Sequence, residues 1–307
     1  MNIRLRQLRA FKAIVENASV SEAAVALGLT QSSVSKMLAG FEAELGFALF
    51  DRAGRRLHLT ERGRQFYHRT DNAIELLDSI RTAAEDIRDK IAGRFRVTAI
   101  GPLSMSAFLP GILRQLGAEF PEFRFSVETK VRAEIEDWIV GQHADVGLTL
   151  LPVRRGQLSS RTFASVQAVA ILPKGHPLAG RDCLSPAAVS DADIIMPRPA
   201  VRLRNLVEAS FVQAGVELRP RFETSNAVST ASLVAAGNGI AVIDPFTVTG
   251  MPPGMIDVLP WEPATVLNYG TIWSDIRALA AHERRLHEIA ERVAQDLARS
   301  HRFFALA

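Results

Sequence analysis

The sequence lacks paired cysteines, long apolar runs and a secretory leader. Cys183 is the one cysteine among 307 residues, so the chain can form neither an internal disulfide nor a cysteine-rich metal site, which fits a reducing compartment. No apolar run approaches the roughly 18 residues of a membrane-spanning helix. Three arginines in residues 1–10 are followed by no apolar block, unlike a signal peptide. We therefore expect a soluble, cytoplasmic protein without a membrane partner.

The chain has little net charge, +3, but the charge is distributed unevenly. Residues 1–69 contain eleven Lys or Arg and six Asp or Glu, whereas the remainder contains 25 and 27. A basic head on a near-neutral body favours binding of the head to a polyanion, with chance fluctuation as the alternative. Hydrophobic residues make up 48% of the chain, which is typical of a globular protein, and at about 150 residues per domain the length favours two domains or three small ones.

Two short helices separated by a glycine turn are predicted between residues 19 and 45. Ser19 and Glu22 have the spacing of a capping box, Gly28 suits a left-handed helix end, and Thr30 can cap the second helix. That helix has a single apolar stripe, formed by Val34, Leu38, Phe41 and Leu45. A helix, a turn and a helix within about 25 residues are typical of a helix-turn-helix unit.

The opposite face of the second helix carries small residues and one cation. These residues are Ser32, Lys36, Ala39 and Ala43. Small side chains let a helix enter the major groove, and the first turn, Gln31 to Ser33, is the part that reaches base edges in such proteins. The alternative is a solvent-facing helix of an enzyme domain, which usually carries more Glu and Lys.

A hairpin is predicted at residues 49–60, where two short extended runs flank a glycine turn. Arg52, Arg55 and Arg56 lie at this turn, where they can contact the phosphate backbone beside the groove. Such a wing next to a recognition helix predicts a winged helix-turn-helix.

A heptad seam follows between residues 60 and 91. Its members recur at alternating steps of four and three: Phe66, Thr70, Ala73, Leu77, Ile80, Ala84, Ile87 and Ile91. A helix of about 30 residues would be roughly 45 Å long. We predict that it pairs with a second copy, chiefly through Phe66, Ala73, Leu77, Ile80 and Ile87, because a two-fold dimer presents two recognition helices to two half-sites. The alternative is a helix packed only on its own chain.

From residue 93 onward, strands alternate with helices, which predicts an α/β region. The first set has strands at 94–100, 124–131 and 144–151 and helices at 107–120 and 133–142. The second set has strands at 166–172, 192–196, 221–224 and 240–243 and helices at 204–214 and 227–237, followed by a strand at 266–273 and a mostly helical stretch at 276–303. The similar plan of the two sets predicts two lobes with a cleft between them.

Common enzyme signatures are absent or incomplete. The sequence has neither a phosphate-binding P-loop nor a nucleophile elbow, and Gly237-Asn238-Gly239 lacks the third glycine of a dinucleotide fingerprint. His282 and His287 are five residues apart on a helix, so their rings diverge by about 140° and we interpret them as surface histidines. We expect no catalytic centre, metal or cofactor.

Motifs along the whole chain resemble those of the LysR-type transcriptional regulators. They are Leu8–Phe11, Ser19–Ala24, Leu29–Lys36, Leu49–Arg52 and Leu59–Gly63, then Phe108–Pro110, Ala144–Gly147, His176–Leu178 and Ala236–Ile240. Two departures are small: Ser32 stands where many members have Pro, and Lys36 where many have Arg, which gives up bidentate recognition.

The resemblance implies an α+β protein in three parts. These are a winged helix-turn-helix at 1–60, a linker dimerisation helix at 61–92, and a two-lobed effector domain at 93–307 similar to periplasmic binding proteins. Lobe I would comprise 93–163 and 267–307, and lobe II 164–266. The implied partners are double-stranded operator DNA, a small-molecule effector, further copies of the chain up to a homotetramer, and RNA polymerase.

Site residues also follow from the resemblance. The implied DNA contacts are Gln31, Ser32, Ser33, Ser35, Lys36 and Arg52. The implied effector contacts, where the lobes meet, are Ser104, Ser106, Thr129, Pro197, Arg198, Ser225 and Asn226. Hydroxyls and free N–H groups at helix starts readily hold a carboxylate, but Ser104, Ser106 and Ser225 may instead be plain helix caps.

Three segments indicate a subgroup of the family. Residues 147–149, 171–178 and 222–227 are similar to the lysine-biosynthesis activator and its octopine- and nopaline-responsive relatives, which implies an amino acid or a derivative as effector. A cationic effector group would need a carboxylate, from Glu128 or Glu223, although both are equally typical of exposed strand residues. The reading from another class is a cytosolic small-molecule-binding protein or enzyme whose N-terminal helices only oligomerise.

Overall fold

The computed structural model describes residues 3–53, 56–67, 70, 74, 93–199, 201–276 and 278–306, without the side chains of residues 52, 53 and 56. The chain divides into two compact units, Met1–Ile91 and Ala92–Ala307. Ala73, Leu77, Ile80 and Ile87 of the predicted seam lie outside the described residues, so their role in dimerisation stays a prediction.

Three helices and a hairpin form the N-terminal unit. They are α1 (Leu5–Asn17), α2 (Val20–Leu27), α3 (Gln31–Leu45), β1 (Phe50–Ala53) and β2 (Arg56–Leu59), and residues 61–67 are helical. Ser19 accepts a hydrogen bond from the N–H of Glu22, and Gly28 ends α2 at φ +65°. The predicted helix-turn-helix and wing are confirmed, because these local signals act within a few residues of each other.

A cluster of aromatic rings holds this unit together. Phe11 and Phe41 are fully buried, with ring centroids 6.3 Å apart. Phe66 packs against both of them, at 5.9 and 5.8 Å, and against Phe47 at 6.1 Å. Although we expected Phe66 in a dimer seam, its ring is used by the core of its own chain, so for this residue the structure favours the alternative.

The C-terminal unit contains the remaining elements. In chain order they are β3 (Arg94–Ala99), α4 (Gly101–Ser104), α5 (Phe108–Glu119), β4 (Arg124–Thr129), α6 (Arg132–Val140), β5 (Val146–Leu150), β6 (Leu158–Gln167), β7 (Val169–Pro173), β8 (Ile194–Pro197), α7 (Arg202–Ala214), β9 (Pro220–Thr224), α8 (Ala227–Ala235), β10 (Ala241–Ile243), α9 (Pro245–Thr249), β11 (Ile256–Pro260), β12 (Val266–Ser274) and α10 (Ala281–Ser300). Short 3-10 turns lie at Pro177–Gly180 and Ala187–Val189.

Two sheets define the two lobes. Lobe I has five strands in the order β4-β3-β5-β12-β6, with β4, β3 and β5 parallel and β12 antiparallel to both β5 and β6. Lobe II has the antiparallel order β10-β7-β11 and the parallel pair β8-β9. A bridge between Ile194 and Ile240 joins these two parts. The α/β architecture in two lobes is therefore as predicted.

Several elements differ from the sequence-based expectation. The single strand expected at 166–172 is two strands, because the chain leaves lobe I after β6 and enters lobe II with β7. Strand β6 begins at Leu158, where polar residues on an exposed sheet edge give little apolar alternation. Strand β11 and helix α9 were also not predicted. The chain thus crosses between the sheets at residue 168 and again at 261–265, not at 163/164 and 266/267.

The two histidines of α10 are not surface residues, so that interpretation was wrong. His287 is 2% exposed, and its Nδ1 lies 2.8 Å from the Thr271 hydroxyl. Its Nε2 lies 3.0 Å from Glu291 Oε1. His282 lies between aromatic rings, with centroid distances of 4.8 Å to Phe95 and 4.5 Å to Phe123. Both rings support the packing of α10 on lobe I.

Candidate nucleic-acid interface and ligand site

The first two turns of α3 present an open polar surface. Gln31, Ser32, Ser35 and Lys36 are exposed, and Val34, on the other side of the helix, is fully buried. The buried side anchors the helix, so the exposed side chains have a fixed direction. Among the described residues no carboxylate forms an ion pair with the ammonium of Lys36, which leaves this cation available to a phosphate or a base edge.

Ser33 is less available than the sequence suggested. It is half-buried, and its hydroxyl lies 2.8 Å from the hydroxyl of Thr30. Thr30 also accepts a hydrogen bond from the backbone N–H of Ser33, 3.2 Å long, and so caps the helix. The two side chains stabilise the start of α3, and Ser33 must break a hydrogen bond to read a base.

The wing is present as a hairpin. Asp51 pairs with His58, and Arg52 with Leu57, in antiparallel register. The side chains of Arg52 and Arg56, and the whole of Arg55, lie outside the described residues. The hairpin therefore supports the predicted wing, while contacts of these arginines with phosphates stay a prediction.

Two predicted effector residues of lobe I lie together at the carboxyl ends of β3 and β4. The hydroxyl of Thr129 donates a hydrogen bond of 2.9 Å to Ser104 Oγ, which in turn donates to the Gly101 carbonyl. Ser106 is buried, donates to the Leu103 carbonyl at 3.0 Å and accepts from the N–H of Phe108. Ser106 is thus a helix cap, whereas Ser104 and Thr129 form a hydroxyl pair at a strand edge.

The predicted residues of lobe II occupy the corresponding edge of the β8-β9 pair. Pro197 ends β8 and is buried, and the exposed Arg198 donates its N–H to the Thr224 carbonyl at 2.9 Å. Asn226 caps α8 by accepting a hydrogen bond of 2.8 Å from the N–H of Ser229, and Ser225 beside it is exposed.

The two edges meet at one place in the C-terminal unit, which we call the inter-lobe junction: helix α4 of lobe I contacts α8 and α9 of lobe II. The lobes approach closely there, because a Cβ built on Gly250 would lie 2.4 Å from the Met105 carbonyl oxygen. Ligands of open α/β sheets bind outside the carboxyl ends of the strands. Ser104, Thr129, Arg198 and Ser225 are therefore placed where such a ligand would lie.

Sequence reasoning missed a group of charges beside the junction. Arg132 begins α6, and its guanidinium donates to the Pro152 carbonyl. Glu136 is 3% exposed, and its Oε2 accepts from the backbone N–H of Arg154 at 3.1 Å. Burial lowers the pKa of Arg132, Glu136 opposes this shift, and the charges of Arg154 and Arg202 add to it. The signal available in the sequence was an arginine directly after a strand, at the start of a helix.

The carboxylates that we expected to face a cationic effector are placed otherwise. Glu223 forms an ion pair with Arg204, which also pairs with Glu208 at 2.6 Å. Hydrogen bonds from these two carboxylates raise the pKa of Arg204. Glu128 is an exposed residue of the edge strand β4. Glu223 is therefore already neutralised, which removes the support that we assigned to it.

Comparison with known families and proteins decides what this arrangement is. Residues 5–64 match the family of bacterial regulatory helix-turn-helix proteins of the lysR type, and residues 88–297 match the LysR substrate binding domain. The chain belongs to the LysR family. It is a DNA-binding LysR-type transcriptional regulator with an effector-binding domain, and the resemblance found in the sequence is confirmed.

Individual relatives agree with this assignment and with the predicted subgroup. The transcriptional activator protein LysR of Escherichia coli (strain K12) is 31% identical over 245 residues, which cover 80% of this chain and 78% of LysR. OccR of Rhizobium meliloti, the octopine catabolism/uptake operon regulatory protein, is 29% identical over 243 residues, which cover 79% of this chain and 80% of OccR. Both are regulators and not enzymes.

Solved structures show the same fold. The crystal structure of CbnR, a LysR family transcriptional regulator, has a TM-score of 0.72 at 18% identity, covering 95% of this chain and 99% of CbnR. Among the described residues of our structure no helix is long and apolar enough to cross a membrane.

Proposed function

We propose that this LysR-type regulator reads its operator with the first turns of α3 and that an amino-acid-like effector, bound at the inter-lobe junction, changes how it bends the DNA. The family supplies the framework. The observation that carries the DNA part is the exposed polar surface of α3, set opposite the buried Val34.

Lys36 tests the DNA part. A Lys36→Ala change removes one phosphate or base contact, so affinity falls and the slope of log K against log salt decreases by about one ion. The measurement is fluorescence anisotropy on a DNA site selected from a random pool by the purified protein. Arg299→Ala, an exposed cation of α10, is the control and should leave both quantities unchanged. Equal behaviour of the two variants would contradict the proposal.

The effector part rests on the hydroxyls at the junction and on the relatives. Ser104 and Thr129 are hydrogen-bonded to each other at the carboxyl ends of β3 and β4. OccR is by name a regulator of octopine catabolism and uptake, and octopine is an amino-acid derivative. We expect Thr129→Val to weaken effector binding, measured as the rise in melting temperature with ligand, without affecting DNA affinity in its absence.

The oligomer is the third part of the proposal. The heptad seam predicts a dimer, and the family resemblance extends this to a tetramer and to RNA polymerase as a further partner. The double variant Leu77→Arg/Ile80→Arg should sediment as a smaller species than the wild type. An unchanged sedimentation coefficient would contradict the use of this segment for self-association.

A further inference from the structure

Three arginines from both lobes lie beside the inter-lobe junction. Arg132 begins α6 and Arg154 follows β5, both in lobe I, whereas Arg202 begins α7 in lobe II. The charges of Arg154 and Arg202 both act on the guanidinium of Arg132, and such interactions are largely screened beyond about 10 Å. The three side chains, which we call the arginine cluster, are therefore neighbours across the two lobes.

The positive charge of the cluster is only partly balanced. Glu136 is its buried acid, yet its Oε1 lies 3.6 Å from Arg132 Nε, and neither atom has a hydrogen-bond partner within the described chain. Within the same residues, no carboxylate lies within ion-pair distance of the side chains of Arg154 or Arg202. The nearby Asp137 pairs with Arg155 instead.

Two helix starts add to this positive field. Helices α6 and α7 begin after Val131 and Val201, and neither has a side-chain cap. A valine side chain accepts no hydrogen bond, so the first-turn N–H groups of both helices lack the usual partner. Free N–H groups and the positive end of the helix dipole favour an anion.

We propose that the arginine cluster binds anions and that the effector therefore carries at least two carboxylates, one held from each lobe. This inference rests on the proposed function and narrows its ligand to a di-acid, including amino di-acids. Arginine suits the task because its planar guanidinium binds a carboxylate through two parallel hydrogen bonds. A di-acid bridging Arg154 and Arg202 would also relieve the repulsion between the lobes.

The experiment is calorimetric titration of the full chain with the unbranched dicarboxylates from malonate to pimelate and with their diamides. We expect at least one dicarboxylate to bind and its diamide, equal in length but uncharged, to give no heat. Arg154→Gln and Arg202→Gln should each weaken binding by about tenfold or more, because each removes a charge-assisted contact. Arg219→Gln, an exposed lobe II arginine that pairs with Glu217, is the matched control and should bind like the wild type.

Arg132 needs a separate variant because it also holds the Pro152 carbonyl. Arg132→Lys keeps the charge, and Arg132→Gln is interpreted only where its melting temperature without ligand matches the wild type. If Arg132, Arg154 and Arg202 only tether a loop and cover the surface, these substitutions change stability and leave the dissociation constant unaltered. That result would overturn the proposal.

The two levels of the account fail differently. Equal binding of a dicarboxylate and its diamide, or binding of only neutral, cationic or monocarboxylic compounds in a way that Thr129→Val weakens, would overturn the di-acid proposal and leave the proposed function intact. A chain that binds no compound of any of these classes would contradict both.

Discussion

The two units of this regulator place their functional side chains by different means. In the N-terminal unit, the DNA-reading residues lie within one helix, and its cap and its buried stripe lie within the same helix and the turn before it. In the C-terminal unit, the candidate ligand residues come from strand ends far apart in the sequence and meet only through the sheets of two lobes. The comparison teaches that the DNA surface depends on local structure, whereas the ligand site depends on long-range packing.

Gly63 gives the largest effect expected in the N-terminal unit. A Cβ there would lie 2.2 Å from the backbone oxygen of Leu49, so the helix at 61–67 must move. We expect Gly63→Ala to destabilise this unit by about 1–3 kcal/mol, as overpacking does, and to weaken DNA binding. The measurement is urea unfolding followed by DNA anisotropy. Gly40→Ala is the control: it has open space and should stabilise α3 by roughly 0.5–1 kcal/mol.

Gly250 is the counterpart in the C-terminal unit. A Cβ there would lie 2.4 Å from the Met105 carbonyl oxygen of the other lobe, a slightly milder clash. Gly250→Ala should cost up to about 2 kcal/mol and reduce ligand binding, because it displaces the lobes at the junction. Gly117→Ala, which meets only ordinary contacts, is the control. The comparison breaks if Gly250→Ala impairs DNA binding and spares the ligand.

Thr30 sharpens the local half of the comparison. Thr30→Ala removes the cap of α3, which should cost about 1 kcal/mol and reduce the DNA affinity of the intact fold modestly. Thr30→Ser keeps the capping oxygen and should restore both quantities. Thermal unfolding and anisotropy measure them, and an unaffected Thr30→Ala variant would show that the cap does not matter.

His287 gives the smallest expected effect, a pH dependence confined to the C-terminal unit. Burial and the charge of Arg161 lower its pKa, although Glu291 partly opposes this. A ring that is harder to protonate when folded contributes stability above the unfolded pKa of about 6.5, and this contribution is lost as the pH falls through the folded pKa. His287→Gln should therefore flatten the decline of the melting temperature below pH 6.5, and an identical decline would contradict the assignment.

Local signals account for what the sequence could predict. Ser19, Gly28 and Thr30 act on neighbours along the chain, and so α2 and α3 were predicted nearly to the residue. Strand β6 was misjudged because its polar first half lies at a sheet edge, and His287 because helical spacing alone does not show which face a neighbouring strand covers. The arginine cluster was missed because Arg132, Arg154 and Arg202 become neighbours only when two lobes fold together.

The measurement that tests the central claim most directly is the bend of a selected DNA site, followed by energy transfer between dyes at its two ends while a dicarboxylate is added. The account predicts that the transfer efficiency changes as the ligand saturates the wild-type protein. It also predicts no change with Arg202→Gln at the same ligand concentration. A DNA bend that stays constant at saturating ligand would contradict the claim that the C-terminal unit controls the N-terminal one.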